Sequence, residues 1–164
     1  MAHRAATMKP ILCSLALGAL VVVSSALFAA GGAADPVIGT WKLNTAKSRG
    51  AAVPKSETRT YAVSAEGFVL KYQSVEADGK ESSVQVTYKY DGKDYPVTGS
   101  PNFDALSVKR IGPKTVQFTA KHMGKTVGRG MRTISKDGKT LTLITRRADA
   151  KGRMSTTTLV YDRR

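Results

Sequence analysis

The sequence is short of cysteine, histidine and acid, and each shortage removes a class of chemistry. Its one cysteine, Cys13, lies in an apolar N-terminal stretch, which excludes a disulfide framework, a Cys-ligated zinc or iron site and a cysteine nucleophile in the remainder of the chain. Two histidines, His3 and His122, are too few for a multi-histidine metal centre. Neither a metal nor a cofactor is therefore expected. Acids number 12 against 26 Lys and Arg, a net charge of +14. No stretch after Ala34 sustains a 3.6-residue apolar period, so helices are not expected to build the core. The length, 164 residues, suits one domain rather than several.

The first 34 residues read as an export signal. Arg4 and Lys9 open the segment, an apolar run follows from Ile11 to Ala30, and small residues close it from Gly31 to Ala34. A membrane anchor is the competing reading, because the run is nearly long enough to span a bilayer at ~20 residues. The small-residue close favours cleavage, after Ala34. The expected organisation is then a signal peptide over residues 1–34 and one domain over residues 35–164, exported to the periplasm or secreted.

Within residues 35–164 stand 16 Thr, 12 Val and 4 Ile. Such a density of β-branched residues favours strands. Turn signals recur at Glu66-Gly67, Asp78-Gly79, Asp91-Gly92, Pro101-Asn102, Gly112-Pro113, Gly124-Lys125, Asp137-Gly138 and Lys151-Gly152. That spacing leaves one strand per interval. Apolar residues alternate at Phe68, Leu70 and Tyr72, at Val84, Val86, Tyr88 and Tyr90, and at Val116, Phe118 and Ala120. About ten short strands without a crossover helix predict an all-β, antiparallel up-and-down barrel, with a β-sandwich as the competitor. Thr45 to Ser56 reads as a loop or lid, and the piece Tyr95 to Thr98 as a short strand.

The opening Gly39-Thr40-Trp41-Lys42-Leu43-Asn44 and the closing Leu159-Val160-Tyr161-Asp162 resemble the first and last strands of lipocalins and intracellular fatty-acid-binding proteins. Together with Tyr90 to Gly99, they are similar to exported bacterial lipocalin-like (calycin) proteins. The resemblance implies a barrel closed at its base by Trp41. In the fatty-acid-binding proteins an Arg-x-Tyr on the last strand holds the ligand carboxylate; here Tyr161 matches and Leu159 stands at the arginine position.

Several residues are candidates for a ligand site. Tyr61, Phe68, Tyr72, Tyr88 and Phe118 are either an aromatic ligand wall or simply core, two readings that overlap inside a barrel. His122 continues the parity of Val116, Phe118 and Ala120 to a strand end. It is either a rim residue or a group that titrates, bonds a ligand or ligates haem. Arg110 shares parity with Leu106 and Val108, and Arg129 with Val127 and Met131. If those apolar residues face inward, both guanidiniums enter a cavity and pair with a carboxylate or phosphate; otherwise each reaches water at a barrel end. The glycines flanking Arg129 are slots for close approach or bends in a coiled strand.

Asp78, Asp91, Asp137 and Asp162 lie mainly in turns beside glycine, and no catalytic triad can be placed. The expected function is therefore a non-catalytic, monomeric barrel binding a small apolar or amphipathic ligand, drawn from Tyr61, Tyr72, Tyr88, Arg110, Phe118, His122 and Arg129. The alternative is a basic surface-interaction protein with a solid core that holds anionic envelope components. Nucleic acid is not an expected partner.

Overall fold

A computed structural model describes residues 34–148 and 152–164. The expected signal segment therefore lies outside the described residues except for Ala34, and so does Lys151 of the last expected turn. Ten strands follow one another: β1 Gly39–Leu43, β2 Ser56–Ser64, β3 Gly67–Val75, β4 Glu81–Tyr88, β5 Asp91–Thr98, β6 Ala105–Gly112, β7 Thr115–His122, β8 Lys125–Ile134, β9 Thr140–Ala148 and β10 Met154–Arg163. Side chains alternate between the two faces as the strand period requires. In β2, Glu57, Arg59 and Tyr61 are buried while Ser56, Thr58 and Thr60 are exposed; in β4, Val84, Val86 and Tyr88 are buried while Gln85 is exposed.

Each strand pairs antiparallel with its neighbour in sequence, and β1 closes the ring by pairing with both β2 and β10. The result is an up-and-down barrel with no free edge. The longest seams run from Ser56↔Val75 to Ser64↔Gly67 and from Met154↔Ala148 to Asp162↔Thr140. The thinnest joins β4 to β5 through Gln85↔Thr98 and Val86↔Val97 alone. The expected Asp91-Gly92 turn is corrected here, since β5 begins at Asp91 and the chain reverses just before it. A register shift between Asp91 and Asp94 absorbs Gly92 at φ 76°.

Antiparallel succession sends alternate turns to opposite ends, and the two ends differ. At the base, Trp41 is fully buried and its indole Nε1 donates to the Val37 carbonyl at 2.8 Å. Arg163 lies over the Trp41 ring at 4.2 Å. It also donates to the carbonyls of Gly138 and Ile38, both at 2.7 Å, and to that of Pro36. One guanidinium thereby ties β10 to the entry segment at residues 36–38 and to the β8–β9 turn at Gly138. At the mouth, the chain from Asn44 to Lys55 contains a single 3₁₀ turn, Thr45–Lys47. Ser48 fastens it to β10, its hydroxyl accepting from the Val160 amide at 3.0 Å and donating to the Asn44 carbonyl at 2.8 Å. The segment is a strap rather than a helical lid, and the loop before β6 tucks Phe103 inward beside it.

Candidate functional site

Polar groups sit inside the barrel in two clusters. The first is built on β2, where Glu57 and Arg59 point inward with Tyr61 by simple alternation. Both charged residues are almost fully covered, 5% and 8% exposed. The Arg59 Nε donates to Glu57 Oε1 and, at 3.0 Å, to the Tyr161 hydroxyl. The same hydroxyl donates to Glu57 Oε1 at 2.8 Å, so three groups close a triangle. The Arg59 guanidinium lies 4.5 Å from the Tyr72 ring centroid and 5.2 Å from that of Tyr161. Burial works against the Arg59 charge, but the Glu57 carboxylate together with Tyr161, Tyr61 and Tyr72 outweighs it, holding the guanidinium well above its ordinary range. Burial likewise pushes the Tyr72 hydroxyl up to about 12, against the opposing pull of Arg59. This cluster is electrically balanced.

The second cluster is nearer the base and centres on Arg132 of β8, 6% exposed. Its two terminal nitrogens donate to the Tyr88 hydroxyl at 3.1 Å and the Tyr90 hydroxyl at 2.9 Å. The guanidinium also lies 4.9 Å from the Tyr61 ring centroid. Phe68 packs on Tyr90 with centroids 4.4 Å apart and steadies the aromatic side of the cluster. Desolvation raises the Tyr88 and Tyr90 hydroxyls above their ordinary values, with Arg132 pulling the other way. Both hydroxyls therefore stay protonated near neutral pH. Among the described residues no carboxylate pairs with Arg132, and its buried Nε has no hydrogen-bond partner. A buried N–H left unmade costs about 1–3 kcal/mol. An unbalanced positive charge so covered is rarer still.

Between the clusters and the mouth lies a cavity of about 190 Å³. Leu70, Val84, Val86, Leu106, Val108 and Leu143 supply much of its apolar wall, and Thr145, Ser155 and Thr157 make the β9–β10 side more polar toward the mouth. Both Arg59 and Arg132 line it. An engineered apolar cavity of roughly 150 Å³ is large enough for a benzene ring. The interior thus has room for a ring-sized body, with two buried guanidiniums on its wall, Arg59 balanced and Arg132 not, while the half-buried Arg147 and Glu76 add one charge of each sign to the lining.

Of the residues expected at a ligand site, Tyr61, Tyr72, Tyr88 and Phe118 line this cavity together, while Phe68 packs behind Tyr88 and Tyr90. The other three stand elsewhere. Arg129 has the parity of Met131 as expected, but that face is the outer one: Met131 and Arg129 are both exposed. The inward face of β8 carries Gly128, Gly130, Arg132 and Ile134. A Cβ at Gly130 would lie 2.0 Å from the Ile144 carbonyl oxygen and 2.5 Å from the Phe118 ring. Gly128 similarly makes room for the Arg147 stem. These glycines are slots for close approach, not bends.

Arg110 has the inward parity of Leu106 and Val108, yet it lies beyond the filled interior at the base end. There it pairs with Asp35, lies over the Tyr90 ring at 4.1 Å and donates to the Pro113 carbonyl at 3.2 Å. His122 is exposed at the rim, 3.4 Å from Asp104 Oδ2, and does not line the cavity. A register shift after Ala120 ends the alternation that would have turned it inward.

Sequence reasoning missed Glu57, Arg59 and Arg132. For the first two the signal was present, since both share the parity of Tyr61. Leu159 also acquires a reading: Tyr161 does have an arginine beside it, supplied by β2 across the short β1 rather than by its own strand.

No family model and no curated protein matches the chain. Among solved structures it is similar to zebrafish ileal bile acid-binding protein complexed with cholic acid, at 9% identity and TM-score 0.47 over 79% of this chain and 99% of that one. It is also similar to a redesigned β-barrel bound to DFHBI, at 13% identity and TM-score 0.42 over 78% and 95% of the two chains. The siderocalin Ex-FABP, described as acting through dual ligand specificities, aligns at 11% identity and TM-score 0.33 over 79% and 74%. The class is set by this chain's own strand order: a closed ten-stranded antiparallel up-and-down barrel.

Proposed function

We propose that this barrel binds one small amphipathic acid in its interior, without chemistry, in an exported compartment. The observation that carries the reading is Arg132: a guanidinium 6% exposed, on a cavity wall, with an unpartnered Nε and, among the described residues, no carboxylate to balance it. Two buried guanidiniums against one buried carboxylate leave a single positive charge, which one carboxylate or similar oxyanion would neutralise. The Tyr88 hydroxyl, which lines the cavity, accepts from Arg132 and keeps its own proton to donate, adding to the anion's reception. The cavity size favours a ring or short chain as the apolar part, set against the Leu and Val wall. Binding is preferred to catalysis because Glu57, the buried carboxylate of the interior, is committed to Arg59 and Tyr161.

The test is a titration with a fluorescent aromatic carboxylate and with its neutral amide. The wild type should bind the acid saturably. In Arg132→Met the acid should weaken by about 2 kcal/mol or more, the range for losing a buried charge partner, while the amide binds both proteins alike. Equal binding of the acid to both proteins would remove Arg132 from the site. Export is tested separately, by N-terminal sequencing of protein from the cell envelope or medium, which should begin near Asp35.

A further inference from the structure

The outer surface of β7 to β10 has a charge pattern that the interior does not explain. Among the residues of these four strands there is one carboxylate, Asp162. It lies toward the base end and is occupied, accepting from Asn44 Nδ2 at 2.7 Å and pairing with Lys47. On the same surface Arg129 and Arg146 stand directly opposite each other across β8 and β9. Like charges so placed repel, and among the described residues neither has an ion pair or a side-chain hydrogen bond. The half-buried Lys121 nearby is different, being neutralised by Asp94 at 2.6 Å.

Apolar side chains flank this pair. The described residues include three methionines, Met123, Met131 and Met154, and all are exposed, at 81%, 44% and 68%. Methionine ordinarily belongs to the interior. Met131 faces Ile144 one row to the base side of the arginine pair, and Met154 faces Ala148 one row to the mouth side. Met123 projects at the tip of the β7–β8 hairpin, at the mouth end of the same wall. From strand spacing and rise, Met131 and Met154 are roughly 16 Å apart along the surface.

We infer that this face, the outer side of β8–β10 with the Met123 tip, docks on an anionic phospholipid bilayer. Two guanidiniums set side by side repel each other, flexible apolar side chains on the same surface are poorly accommodated by water, and a single partner relieves both. At a bilayer the arginines meet headgroup phosphates while the methionines enter the acyl boundary. A soluble phosphate ester or polyanion would use the arginines and leave the methionines idle, so the methionines decide for lipid. The proposal is independent of what the cavity holds.

Co-sedimentation with vesicles tests it. The wild type should bind vesicles of phosphatidylcholine containing phosphatidylglycerol about tenfold or more tightly than vesicles of phosphatidylcholine alone. Arg129→Gln with Arg146→Gln should lose about tenfold. Lys71→Gln with Lys89→Gln, the same charge change on the opposite wall, should lose much less. Met123→Ser with Met131→Ser and Met154→Ser should weaken vesicle binding several-fold while leaving binding to soluble polyphosphate unchanged. All these side chains are exposed, so circular dichroism should report an intact fold; Met154→Ser alone replaces the triple variant should it fold poorly. Three results would each overturn the proposal: no preference for the anionic vesicles, an equal loss in the Lys71/Lys89 control, or vesicle binding unaffected by the methionine changes.

Discussion

The two buried guanidiniums of this barrel are alike in residue type and in burial and opposite in circumstance. Arg59 has a carboxylate, a hydroxyl and two aromatic faces around it. Arg132 has two hydroxyls, aromatic faces from Tyr61 and Tyr90, and nothing of opposite charge. A buried ion pair is costly to break and contributes little net stability over an apolar substitute. Arg59 therefore reads as a piece of the wall that fixes Tyr161 and Tyr72 in place. Arg132 reads as capacity left over, stable enough to fold yet short of one negative charge. The comparison teaches that depth alone does not identify a binding group inside a barrel; the state of its partners does.

The contrast is tested most severely by removing Glu57. Glu57→Leu leaves Arg59 charged, buried and without a counter-ion, and should cost about 3–5 kcal/mol, the range for breaking one side of a buried pair. Adding Arg59→Leu to that variant should restore most of the loss, because the stranded charge is then gone. Urea denaturation of the single and double variants checks both statements. A double variant no more stable than the single one would mean that the pair is not the unit described here.

Much of the barrel was legible because period-2 alternation is strong wherever Val, Tyr and Phe mark one face, as in β4 and β7. β8 was misread at the same level of evidence. Its outer positions Arg129 and Met131 continue the parity of the core-packed Val127 across the register shift, and that series looks more apolar than the inner Gly128, Gly130 and Arg132. The inner face is made of glycine because the Phe118 ring and the Arg147 stem occupy the space that side chains would fill. That is a fact about neighbouring strands, absent from the local sequence. Glu57 and Arg59 were legible in part: alternation with Tyr61 points both inward, where each is the other's counter-ion two residues away, and only the third member of the triangle, Tyr161, lies far off in the sequence. Arg110 shows the limit of parity, which assigns a face and says nothing about whether the strand has already passed the end of the core.

A smaller effect separates the balanced cluster by pH. The Tyr72 hydroxyl, stacked under Arg59, is pushed by burial from its ordinary value of 10 to about 12. A group whose folded pKa is raised stabilises the fold fully below its unfolded pKa, and that contribution is lost as pH rises through the folded value. Its share, roughly 2–3 kcal/mol, should therefore be intact below pH 10 and disappear between about 10 and 12. Denaturation curves across that window, with phenolate absorbance followed alongside, should show a shallower decline for Tyr72→Phe than for the wild type. An identical decline in both proteins would place the Tyr72 hydroxyl in water.

The smallest expected effect is the one that sharpens the comparison most: the stability of Arg132→Met. Truncation to an apolar chain of similar length removes donors from the Tyr88 and Tyr90 hydroxyls, at about 1 kcal/mol for each net hydrogen bond. It also removes a buried charge that no carboxylate balances and an N–H that nothing accepts, and relief of that desolvation acts in the opposite direction. The two contributions are of similar size, so the melting midpoint in urea should move by no more than about 1 kcal/mol equivalent in either direction. A loss as large as that expected for Glu57→Leu would show that Arg132 holds the wall together as Arg59 does, and the anion site would lose its foundation. A near-neutral result, in a variant that no longer takes up the acidic ligand, would separate function from folding at a single residue, since the group would then serve the ligand while contributing little to the empty barrel.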